Sequence, residues 1–228
     1  MRTNFNPAFC LHECTSNDDL RPVFGYIHFY NGYAYATDAH VIVKAKIEDI
    51  SNFVAYDIEM INNHSILAAN FKKLIKHQNI EVTPEGFVFE DYDKQMKVHY
   101  LWNEIIQEEK DGKLCRYVSI KGDKISIPNF DAVIVDSDHI HTTDSIGIKH
   151  KLISSVAKAM GADTLAFYFS GDDKMIKCRI KDGFDPDADV VAGIMPNLID
   201  HSERHYKKVT FIDEYENAFG KQAENENR

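Results

Sequence analysis

The sequence predicts an α+β protein built from a repeated unit of strand, helix and hairpins. Three observations carry this: aromatic strands joined by an Asn-Gly turn, two short amphipathic helices with lysine-rich outer faces, and hairpin patterns after each helix. Residues 23–30 and 33–37 read as strands flanking Asn31-Gly32, a pair that tolerates positive φ at both positions and closes a two-residue hairpin. After Thr37-Asp38-Ala39-His40 a third strand puts Val41, Val43, Ala45 and Ile47 on one face and Lys44 and Lys46 on the other.

Apolar strands at 65–69 and 145–148 each lead into a helix. Residues 70–78 form the first, with Asn70 as N-cap, Phe71, Leu74 and Ile75 inward, and Lys72, Lys73 and Lys76 on another face. Residues 149–160 form the second: Leu152, Ile153, Val156 and Met160 face inward, Lys151, Ser155 and Lys158 line the outside, and Gly161 stops it. Hairpins follow at 81–90 with 95–101, and at 164–170 with 175–180, the latter turning at Gly171-Asp172-Asp173. The unit thus recurs about eighty residues apart. The acidic segment 104–111 between the units reads as a solvated connection, a loop or helix turn. From His201 onward the chain is expected to fray, with Phe211, Ile212, Tyr215 and Phe219 as one face of a short helix packing back on the core.

A hydrophobic fraction of 44% with 14 Phe and 11 Tyr points to a folded, sheet-rich protein. No apolar run reaches membrane-spanning length and the N-terminus has no apolar signal core, so a cytoplasmic location is expected. Cys10, Cys14, Cys115 and Cys178 are too scattered for a disulfide framework, and Cys10-Leu11-His12-Glu13-Cys14 lacks the second half of a zinc site; incidental reduced thiols are expected there. The net charge of −10 argues against nucleic acid only until its distribution is considered. Lys72, Lys73, Lys76, Lys149, Lys151 and Lys158 lie in two windows, 66–80 and 146–162, that hold no acidic residue. The chain is an acidic body carrying two locally basic helices, and local field decides where a phosphate backbone can lie.

Three segments, in order, resemble the bacterial sliding clamp, the β subunit of DNA polymerase III. Ala36-Thr37-Asp38-Ala39-His40 resembles the ATDGH element of that family, residues 127–134 (IPNFDAVI) its FPDY/YPNY element, and residues 190–198 (VVAGIMPNL) its C-terminal strand. Residues 146–180 also resemble the last helix and hairpin of the third clamp domain. The resemblance implies a DNA-clamp fold, with sheets outside and short basic helices on one face. By position it implies a clamp-like domain over 1–136, with its first helix reduced to 6–19, a second clamp-like unit over 137–200, and a C-terminal extension over 201–228. The usual first clamp domain has no counterpart. A closed ring in the family has six domain-sized units, so this chain would need a homotrimer, or would stay a monomer or dimer encircling nothing.

The resemblance also implies a function without chemistry: a processivity factor that surrounds or contacts duplex DNA without sequence preference and tethers a polymerase, loader or repair enzyme through a short hydrophobic peptide. The peptide groove would comprise Thr37, His40, Val41, Ile42, Pro128, Val133, Met195, Pro196 and Leu198, residue types that re-pack around varied apolar side chains. The six lysines would face DNA, and no cofactor or metal is implied. The family's Gly is Ala39 here, the Arg after its His is Val41, and its C-terminal Arg has no counterpart, so the groove would be more apolar.

Two other readings remain: a clamp-fold peptide adaptor without a DNA ring, and a metal-dependent hydrolase. The second would draw on Asp136, Asp138, His139, His141 and Asp144, or on Asp38 and His40. Against it, the chain has no HExxH, GxSxG or GxxxxGK[ST]. Residues 185–189 begin like a calcium loop but lack the Gly at its sixth position and the Glu at its twelfth.

Overall fold

The computed structural model describes residues 3–91, 95–134, 146–170 and 174–196. The described residues belong to one compact unit, and residues 198–228 lie wholly outside them. Two 3-10 turns, Leu11–Cys14 and Pro22–Gly25, come first. They are followed by β1 (Tyr26–Tyr30), β2 (Tyr33–Thr37), β3 (Val41–Lys46), α1 (Ala55–Ile61), β4 (His64–Leu67) and α2 (Ala68–Leu74). Next come β5 (Glu81–Thr83), β6 (Gly86–Asp91), β7 (Met96–Leu101), β8 (Asn103–Lys110), β9 (Lys113–Ile120), β10 (Asp123–Ile127) and α3 (Phe130–Val133). The series ends with α4 (His150–Met160), β11 (Ala162–Tyr168), β12 (Ile176–Gly183) and β13 (Val190–Ile194).

Among the described residues the strands are antiparallel and fall into two sheets. One has ten strands in the order β10-β9-β8-β4-β1-β2-β3-β13-β12-β11, the other is β5-β6-β7. Asn31 and Gly32 take φ of 53° and 80°, the left-handed pair that a two-residue hairpin requires. The β3–β13 pairing, from Val41 with Ile194 to Ala45 with Val190, joins distant parts of the chain in one sheet.

Alternation along the strands separates two apolar clusters. Ile27, Phe29, Ala34, Ala36, Val41, Val43 and Ile194 belong to the larger, with Phe5, Phe9, Leu11, Phe71 of α2 and Val156 and Met160 of α4. We call this the inner face. Tyr30, Tyr35 and Ile42 point to the outer face, where Ile105, Val118, Ile120, Ile127 and Phe130 complete the second cluster.

Several boundaries differ from expectation. The strand expected from residue 23 starts at Tyr26, because Pro22 opens a 3-10 turn instead. The first basic helix starts at Ala68 rather than after Asn70, with Leu67 in the N-cap position and no side-chain cap. The strand expected over 81–90 breaks at Pro84-Glu85 into β5 and β6, with Thr83 facing Gly86. The reduced first helix expected over 6–19 is the single 3-10 turn Leu11–Cys14. Of the strand expected at 145–148, residues 146–148 carry no strand.

The largest correction concerns residues 104–111: 104–110 belong to strand β8 rather than to a connection, and Asp111 opens the turn after it. Ile105 is buried while the carboxylates of Glu104, Glu108 and Glu109 stay in water, so an acidic strand is accommodated on a solvated sheet surface. The turn at Gly171-Asp172-Asp173, the cluster at 136–144 and the C-terminal aromatic residues lie outside the described residues.

Candidate functional site

The turn between β2 and β3 is held by its own side chains. Asp38 Oδ1 accepts from the N–H groups of His40 and Val41, each at 2.8 Å. Thr37 Oγ1 accepts from the Ala39 N–H at 3.1 Å and donates to the Val41 carbonyl at 2.6 Å. This forces Ala39 to φ of 76°, the position where the resembling family has Gly. A left-handed alanine is strained by about 1–2 kcal/mol, partly offset by its stiffer unfolded chain. Ala39→Gly should therefore raise stability by about 0.5–1 kcal/mol, seen as a higher urea midpoint at unchanged slope; a lower midpoint would contradict the strain.

The same turn meets the end of β13, where the Met195 N–H donates to the His40 carbonyl at 2.8 Å. Thr37 and Ile42 face each other across β2 and β3. Ile42 is buried on the outer face, and a Cβ at Gly193 would collide with Met175, so the missing side chain lets Met175 lie over this spot. His40 and Met195 are exposed and Pro196 is half-buried. Thr37, His40, Ile42 and Met195 thus gather at one corner of the sheet. Val41 is fully buried on the inner face, away from Ile42. Pro128 follows β10, whose Ile127 joins the outer cluster, and Val133 is exposed at the end of α3. Leu198 lies outside the described residues.

Sequence reasoning missed what fills the outer face. Asn129 caps α3 by accepting from the Ala132 N–H, and Phe130 stacks on Tyr35 at 5.5 Å. Tyr35 stacks on Tyr30 at 4.2 Å and 11°, and the Arg116 guanidinium lies over Tyr30 at 4.2 Å from the ring centroid. Asp131 Oδ1 accepts from the Tyr35 hydroxyl at 2.9 Å and from Lys44 Nζ at 2.8 Å. Burial first, with the Asp131 charge adding to it, pushes the Tyr30 phenol well above its usual range; burial likewise raises Tyr35.

On the inner side, α2 and α4 flank the 3-10 turn Leu11–Cys14. The Cys10 N–H donates to the Lys158 carbonyl at 3.1 Å, and Glu13 lies 3.6 Å from both Lys158 Nζ and His12 Nε2. Burial lowers the His12 pKa; Glu13 opposes this, and Lys72, Lys76 and Lys158 each add to the lowering. Those three lysines therefore share one imidazole's electrostatic neighbourhood. All six predicted lysines are exposed.

Among the described residues no group of three or more His, Cys, Asp and Glu side chains is placed to hold a metal. Of the calcium-like stretch, Asp185 Oδ1 accepts from the Asp187 N–H within the loop, and Asp189 Oδ2 accepts from the hydroxyl of Tyr33 on β2. Burial raises Cys14 and pushes Cys178 up to about 12, so neither is a ready thiolate. No helix among the described residues is long and apolar enough to cross a membrane.

No family model and no curated protein matches the chain. Among solved structures it is similar to the DNA polymerase III β chain of Streptococcus pneumoniae, at 12% identity and a TM-score of 0.40, covering 82% of this chain and 61% of that one. It is similar also to the DNA polymerase β subunit of Streptococcus pyogenes, at 12% identity and a TM-score of 0.39, covering 84% and 63%. The chain thus spans less than two thirds of the length of either.

Proposed function

We propose that this protein is a clamp-like scaffold without catalytic activity, lying against duplex DNA through its basic helices and holding a short apolar peptide of a replication or repair enzyme on its outer face. The observation that carries this reading is the convergence of Lys72 and Lys76 with Lys158, from helices far apart in sequence, around the single turn that holds His12. With the rest of the chain acidic, these lysines form a local site for a phosphate backbone. The three ordered sequence elements support the peptide half, and Thr37, His40, Ile42 and Met195 meet at one corner of the sheet. Two clamp-like units, divided near residue 136, and a homo-oligomeric ring belong to the same proposal.

Fluorescence anisotropy with a labelled blunt duplex tests the DNA half. Three phosphate contacts should lower affinity roughly 40-fold between about 50 and 200 mM salt. Lys72→Gln/Lys76→Gln/Lys158→Gln should remove most of that slope while the protein stays folded. A flat salt response, or an unchanged slope in the triple variant, would leave only the peptide-binding adaptor.

A further inference from the structure

Two buried donors on the outer face have no acceptor among the described residues: the Nε–H of Arg116 and the hydroxyl of Tyr30. Arg116 is 9% exposed and Tyr30 is fully buried. They belong to one stack, the guanidinium lying over the Tyr30 ring. Asp131, the carboxylate of this stack, is taken by Tyr35 and Lys44. Arginine has no acceptor atom, and the buried Tyr30 phenol stays protonated, so neither group relieves the other. A cation taken out of water without a counter-charge is destabilised. Beside a second unanswered donor, the complement is a negatively charged group with acceptor oxygens.

The place matters as much as the chemistry. Arg116 pairs across the ladder with Ile127, the residue before Pro128. Ile127, Tyr35, Ile42 and Phe130 share one apolar cluster with Tyr30. The unanswered donors thus sit in the same buried cluster as Ile42, one of the residues at the corner assigned above to a peptide. We infer that Arg116 and Tyr30 form a carboxylate subsite that takes an Asp or Glu side chain of the bound apolar peptide, an inference that rests on the peptide-binding reading. The planar guanidinium suits a carboxylate's two oxygens. On a chain of net charge −10, one such desolvated cation selects a single acidic residue rather than an acidic run.

The full-length chain tests this in two independent ways. In nitrogen-15 spectra the Arg116 Nε–H resonance, assigned by its loss in Arg116→Lys, should shift saturably with sodium acetate. No shift would overturn the subsite whatever the peptide does, and an equal or larger response to inorganic phosphate would reassign it to the free ion. Separately, labelled, C-terminally amidated peptides rich in Leu and Phe, with one Glu walked through each, are compared with their Gln counterparts. One Glu position should bind about tenfold tighter than Gln. Tyr30→Phe should reduce that preference while the protein stays folded. An acetate shift with no Glu preference separates the subsite from the groove and overturns its role in peptide binding. A free-acid peptide without Glu that binds as tightly as the Glu peptide would put a chain terminus there instead.

Discussion

Phe5→Ala should destabilise the protein by about 3–5 kcal/mol, the range for deleting a buried aromatic ring whose surroundings relax only in part. Phe5 is fully buried, and four other phenylalanines converge on it. Phe53, Phe71 and Phe87 meet it edge-on at 4.9, 5.0 and 5.6 Å, and Phe29 stacks at 6.1 Å. These rings come from β1, α2, β6 and the segment before α1, so one side chain ties the large sheet, the small sheet and a basic helix together. Because Phe71 precedes Lys72 and Lys73, the variant should also loosen the face proposed for DNA. Urea unfolding of Phe5→Ala beside Phe5→Leu measures the cost. A loss under about 1 kcal/mol would show that the cluster closes over the gap.

Acid should weaken the fold through His28. The ring is fully buried between Ser65 Oγ, 2.8 Å from Nδ1, and the Val23 carbonyl, 3.0 Å from Nε2. A carbonyl only accepts, so Nε2 carries the proton and Nδ1 accepts from the Ser65 hydroxyl: the neutral tautomer fills both bonds. Burial drives the pKa down to about 4, with the Val23 hydrogen bond opposing it. The unfolded chain takes up a proton near the usual histidine value and the folded one does not. Stability from this group is therefore whole above pH ~6.5 and falls as pH drops toward ~4, by about 3 kcal/mol in all. The His28 ring resonance should titrate near pH 4 in the folded protein; a midpoint near that of a free histidine would refute the account. Replacing His28 with Gln should flatten the pH dependence of the urea midpoint across the same window.

The elements legible in the sequence were those whose local chemistry and tertiary setting agree. Asn31-Gly32 has one good solution, and β2 and the apolar face of β3 follow from alternation. Helix α4 was legible because four apolar residues mark its stripe and Gly161 ends it in the left-handed region at φ of 60°. Strand β8 was not, because its run of acidic residues is the usual mark of a solvated loop. A signal was there: Asp111-Gly112, a strong short-range hairpin pair, takes φ of 52° and 69° and joins β8 to β9. Of the candidate site, the turn at Thr37–His40 and the end of β13 were found from their resemblance. Arg116 and Tyr30 were not, since nothing local tells a desolvated arginine from the many solvated ones.

The register of β3 against β13 has a consequence for the chain as it is made. Roughly 145 residues must leave the ribosome between Lys46 and Val190, which at ~5–20 residues per second takes roughly 7–30 s. Throughout that interval the far side of β3 is an unpaired edge beside a finished hairpin, open to whatever other nascent chain is near. Lys44 and Lys46 alternate along that strand, and charged side chains on an edge discourage stray pairing. Their charges are thus placed to discourage stray pairing along β3 until β13 arrives.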